Sequence, residues 1–135
     1  MTYCIGIKLN NGLVFLSDSR TNAGLDDIST YRKMTIFNEN NDRAVILLSS
    51  GNLAICQSIR QILIQKEQAL SIWKASSLLD IAETVGEAIK KVHERYSSTM
   101  NDLGVDFNCS FILGGQIQNE HSRLFKIYSA GNFIE

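Results

Sequence analysis

Near the start of the chain, Asn10-Asn11-Gly12 lies between two short apolar runs, and it constrains the fold more than any other feature. Asn and Gly both accept positive φ, so Asn-Gly between alternating apolar segments is a strong hairpin signal. On one side Tyr3, Ile5, Ile7 and Leu9 alternate with Cys4, Gly6 and Lys8. That is the period of a strand with one buried face. On the other side residues 13–17 read as a returning, largely buried strand. Asp18 to Gly24 is polar, ends on Gly and reads as a loop.

A second pair of strands is expected at residues 32–37 and 43–48, joined by the polar turn Asn38-Glu39-Asn40-Asn41-Asp42. Ser49-Ser50-Gly51-Asn52 breaks that pattern and offers N-cap side chains to a helix in which Ile55, Ile59, Ile62 and Leu63 form one stripe. A longer helix is expected at about residues 76–98, with Leu78, Ile81, Ala82, Val85, Ile89 and Val92 on one face. Ser77 and Asp80 resemble a capping box at its start. Strands at residues 108–113 and 123–128 follow. Four strands, two helices and two strands argue for an α+β domain over residues 1–135, with the helices layered on one face of an antiparallel sheet. The end at Phe133-Ile134-Glu135, directly behind an apolar stretch, reads as a cut.

Several functional classes fall away. The 13 basic and 14 acidic residues are mixed along the chain, with a net charge of −1. No basic run is available to track a phosphate backbone, so nucleic acid is not the expected partner. No apolar run reaches membrane-spanning length, and the expected location is the cytoplasm. Cys4, Cys56 and Cys109 are widely spaced, which suggests neither a disulfide framework nor a zinc site. A cysteine hydrolase using one of them with His93 or His121 is a weak alternative, because no nucleophile motif surrounds any of the three.

Three residues carry possible chemistry. Thr2 follows the initiator Met and heads the first strand. Removal of Met1 would leave it with a hydroxyl and a free α-amine, and that amine titrates near ~7.7–8.0. A Thr paired with its own amine is a recognised activated nucleophile, though most chains beginning Met-Thr use it for nothing. Asp18 ends the returning strand; with tight pairing it is expected opposite Ile5, roughly 10 Å along the strand from Thr2. Lys33 opens the next strand, and its ammonium near Thr2 would favour loss of protons there. Asp18 could hold that ammonium by a charge-assisted hydrogen bond. The plainer reading makes Asp18 a loop cap and Lys33 a solvated side chain.

Together these residues match a pattern. Thr2-Tyr3-Cys4-Ile5-Gly6, Ser17-Asp18-Ser19-Arg20-Thr21-Asn22-Ala23-Gly24 and Tyr31-Arg32-Lys33 resemble the proteasome β-subunit family of N-terminal-nucleophile hydrolases. Within it they are most similar to the bacterial proteasome-like group called Anbu, as are residues 48–54 and 127–134. The resemblance implies an αββα sandwich, here its N-terminal part, and peptide-bond hydrolysis through an acyl-enzyme on Thr2. It implies Lys33 as the source of positive field, Asp18 as its holder and Arg20 as a brace for the loop. Gly51 would supply an oxyanion N–H, and Thr21 would line the substrate cleft. It implies no metal or cofactor, a peptide or unfolded-protein substrate, and self-assembly into a ring or open spiral, with the long helix as one inter-subunit surface. A catalytically silent structural subunit of the same superfamily is the alternative. Family members run further, adding strands, a helical layer and a Ser/Asp/Ser group around the nucleophile.

Overall fold

A computed structural model describes residues 2–22, 28–39 and 42–135. Met1, Ala23-Gly24 of the expected loop and Asn40-Asn41 of the expected turn lie outside the described residues.

The chain opens with β1 (Cys4–Leu9) and β2 (Gly12–Ser17), an antiparallel hairpin in which Leu9 pairs with Gly12. Its two-residue turn is therefore Asn10-Asn11, one residue earlier than the Asn-Gly signal implied. Gly12, at φ 150°, takes the backbone conformation that a side chain would resist. The buried face is also the opposite of the one expected. Ile7, Leu9, Val14 and Leu16 are all exposed, while Phe15 reaches across Gly6 to Gly114. A Cβ on Gly6 would lie 2.9 Å from the Ile112 side chain. The two layers approach so closely that the smaller residues of β1 face inward and its Ile and Leu side chains face out.

Within the stretch expected to be a loop, β3 (Arg20–Asn22) forms and pairs antiparallel with β4 (Ile28–Thr30). A five-stranded antiparallel sheet follows in plain sequential order: β5 (Met34–Glu39), β6 (Arg43–Gly51), β7 (Cys109–Ile117), β8 (Arg123–Ile127) and β9 (Phe133–Ile134). The short β9 was not foreseen. Two helices, α1 (Leu53–Leu63) and α2 (Leu78–Asp102), cross between β6 and β7.

Ser49, Ser50 and Gly51 stay in β6, and Asn52 alone caps α1, its Oδ1 accepting the N–H groups of Ala54 and Ile55 at 3.0 and 3.3 Å. The capping box of α2 is present, Ser77 Oγ accepting from Asp80 N and Asp80 Oδ2 from Ser77 N, each at 3.0 Å. Both helices lie on one face of the sheet. Ile55, Ile59, Leu63, Ile81, Val85 and Ile89 meet Val45, Leu47, Phe111, Leu113, Phe125 and Ile127. Each such side chain contributes roughly 1.5–3 kcal/mol on burial, so this layer is the stable part of the domain. A 3₁₀ turn at Ile72–Lys74, absent from the sequence reading, is pinned to β6 by Arg43, whose Nη1 donates to the carbonyls of Ile72 and Ala75 at 2.7 and 3.1 Å.

The other face of the sheet meets the β1–β2 hairpin. Helices, sheet and hairpin are thus stacked as three layers, and the α+β assignment holds. Among the described residues no helix is long and apolar enough to cross a membrane.

Candidate functional site

The shifted turn decides where the site forms. With Ser17 opposite Cys4, the next residue, Asp18, falls beside Tyr3 and not beside Ile5. Asp18 N donates to the Tyr3 carbonyl at 3.0 Å, and Tyr3 N donates back to Asp18 Oδ1 at 2.9 Å. The carboxylate therefore sits one residue from Thr2, two residues nearer than the sequence reading had it.

Lys33 lies just before β5 and is 5% exposed. Its ammonium donates to both oxygens of Asp18, at 2.9 and 2.8 Å, and to the Arg20 carbonyl at 2.8 Å. The solvated alternative for Lys33 is excluded by this burial. The Lys33 hydrogen bond, with the Tyr3 N–H beside it, holds the Asp18 carboxyl below its ordinary range. Asp18 is thus held in its carboxylate form at neutral pH. Ser49 anchors Lys33 from the other side, its N–H and Oγ donating to the Lys33 carbonyl at 3.0 and 3.3 Å.

Thr2 is exposed and lines a cleft of about 190 Å³ with Cys4, Leu48, Ser50, Ser110, Ile112 and Lys126. The cleft lies between the head of β1 and the hairpin-facing side of the sheet. Ser50, Ser110 and Lys126 were missed as site residues, because strand register across three sheet strands is not written in local sequence. The alternation within each strand was the only available signal.

The supporting residues divide. Arg20 enters the constellation through its backbone carbonyl. Thr21 lies in β3, where its Oγ1 donates to the Ser29 carbonyl of β4 at 3.1 Å. Gly51 ends β6 opposite Cys109 with φ 109°, and a Cβ there would lie 2.4 Å from the Asn108 carbonyl oxygen. Only glycine fits that position. A second, wider cleft of about 640 Å³ adjoins Asp18 and is lined by Ser17, Ser19, Arg32, Met34, Ile36 and Arg60 among others.

The cysteine alternative finds no support. Burial, with Cys4 nearby, pushes the Cys56 thiol up to about 11, and burial with Cys56 nearby takes Cys109 to about 12. Burial and the Asp18 charge also raise Cys4, against the smaller opposing effect of Lys33. None of the three is poised as a thiolate. His93 packs edge-on against Phe107, with ring centroids 4.8 Å apart. Among the described residues no group of His, Cys, Asp and Glu is arranged to hold a metal ion.

No protein-family model matches the chain, and no curated protein matches it. Solved structures do. A Gly-1 mutant of Anbu from Hyphomicrobium sp. strain MC1 is 38% identical, with a TM-score of 0.86 over 99% of this chain and 55% of its own. Anbu from Yersinia bercovieri, described as an ancestral beta-subunit, is 44% identical with a TM-score of 0.83, over 97% of this chain and 54% of its own. The helical assembly of the Anbu complex from Pseudomonas aeruginosa is 38% identical with a TM-score of 0.85, over 97% and 55%. The chain spans about half the length of these solved relatives.

Proposed function

Because the chain belongs by fold and sequence to the Anbu group of proteasome-like proteins, we propose that it is a subunit of a threonine-type peptidase with Thr2 as its nucleophile. The observation that carries this reading is the Asp18 carboxylate, which binds the N–H of the residue after Thr2 while gripping the buried Lys33 ammonium. A cation is thereby fixed near the head of β1, where a threonine amine must lose a proton to act as a base.

Removal of Met1 frees the Thr2 α-amine. The Thr2 Oγ1 attacks the scissile carbonyl carbon while its proton passes, through a water, to that amine. The Gly51 N–H steadies the oxyanion, a contribution that in comparable sites is worth about 10²–10³ in rate. The C–N bond breaks, the leaving amine takes the proton, and an ester on Thr2 remains. Water hydrolyses the ester and restores the hydroxyl. The substrate is a peptide or unfolded protein running past Thr21, the setting is the cytoplasm, and no cofactor is required.

Self-assembly is part of the proposal, as a ring or open spiral. The Pseudomonas relative, described as a helical assembly, supports it. The outer face of α2, which exposes Glu83, Glu87, Lys90, Lys91 and Glu94, is the inter-subunit surface we favour. Thr2→Ala should abolish peptide hydrolysis by the assembled protein without moving its unfolding midpoint, and undiminished turnover would sink the mechanism. A second reading, a catalytically silent assembly subunit, rests on the helical assembly described for the Pseudomonas relative. It predicts assembly with no Thr2-dependent turnover.

A further inference from the structure

Lys126 is a positively charged side chain lining the cleft of Thr2, and the sequence resemblance assigned it no role. It stands directly opposite Ile112 in the β7–β8 ladder, so both side chains project from the same face of the sheet. That face meets the hairpin, since Ile112 reaches the point where a Gly6 Cβ would sit. Lys126 and Thr2 are therefore on facing walls of one narrow space of about 190 Å³.

The two lysines differ in how much field they can project. The Asp18 carboxylate at 2.8 Å offsets part of the field of Lys33. Lys126 has no carboxylate partner among the described residues. Its ammonium lies 5.2 Å from the centroid of the Tyr128 ring, a contact that orients the charge without cancelling it. Among the described residues, the charged and titratable groups on the elements that meet near Thr2 are Cys4 on β1, Asp18 after β2, Lys33 before β5, and Lys126 with Tyr128 at the end of β8.

We propose that Lys126 acts through its uncompensated charge to hold the Thr2 α-amine in its neutral, proton-accepting form. The inference rests on the threonine-nucleophile reading, but its test needs no turnover. The full chain, prepared to begin at Thr2 and carrying ¹³C-threonine, is titrated by NMR through the Thr2 Cα shift. Lys126→Met should raise the amine pKa by roughly half a unit at low salt, the size of one screened charge across a cleft. Lys126→Arg should keep the wild-type value, and molar salt should close the gap between Met and wild type. Lys126→Gln provides a second neutral variant and should match Met. An unchanged pKa in both neutral variants, or an Arg variant that shifts as they do, overturns the proposal. Failure of the peptidase reading registers separately, as turnover that survives Thr2→Ala.

Discussion

The Asp18 carboxylate and the Lys33 ammonium meet through both carboxylate oxygens, at 2.9 and 2.8 Å, yet they are unequally buried. The Lys33 side chain is 5% exposed and that of Asp18 31%. Water can reach the anion but scarcely the cation. The pair therefore behaves asymmetrically when one member is removed, because only a buried, poorly matched charge carries the full desolvation penalty.

Asp18→Ala should accordingly destabilise the protein by about 1–3 kcal/mol, because it removes the carboxylate to which the buried Lys33 ammonium donates. Lys33→Met should cost about 1 kcal/mol or less, since Asp18 keeps the Tyr3 N–H and gains water. Urea unfolding of both variants checks the order. A larger loss for Lys33→Met would mean that Asp18 is the residue requiring its partner.

The same pair fixes a pH dependence. The folded carboxyl titrates below its ordinary value because of the Lys33 and Tyr3 hydrogen bonds. Its contribution is fully present above the usual carboxylate range, about pH 4, and is lost as pH falls through the lowered folded value. Asp80, lowered by Ser76 and Ser77, and Glu135, lowered by Arg123, act in the same direction. Thermal melts between pH 2 and 7, a range set around that titration, should show stability falling on the acid side. Asp18→Ala should flatten the slope in part. An identical slope would show that the pair does not form in solution.

Gly51→Ala should lower stability and activity together. The substitution forces a side chain into φ 109° and places Cβ 2.4 Å from the Asn108 carbonyl oxygen, a combination costing at least about 2 kcal/mol. A variant as stable as wild type would mean that the β6–α1 junction is looser than described.

At the start of α2, Ser77→Ala removes the oxygen that accepts from Asp80 N. The expected loss is about 1 kcal/mol, the ordinary worth of such a cap, measured by chemical denaturation. No loss would show that this helix end is held by other contacts.

Local sequence foretold a good deal. The α2 stripe of Leu78, Ile81, Ala82, Val85, Ile89 and Val92 is buried throughout, because helical periodicity follows directly from residue order. Asp18 and Lys33 were also legible as a pair, though through resemblance more than through geometry. What local signals could not carry was register. Asn-Gly suggested a turn one residue too late, and a slip of one in the turn moves Asp18 by two positions along β1. Nor could alternation decide which face of the hairpin is inward. The answer depends on Gly114, 99 residues beyond Phe15 in the chain, where the Phe15 ring needs space. Lys126 joined the cleft for the same non-local reason.

In the proposed peptidase Thr2 becomes the first residue and reacts there. The most direct test is the intact mass of the purified protein before and after exposure to a threonine-directed β-lactone, with N-terminal sequencing. The expected result is a chain lacking one methionine, beginning at Thr2, and an adduct that Thr2→Ala cannot form. A chain that retains Met1, or an adduct that survives in Thr2→Ala, would contradict it.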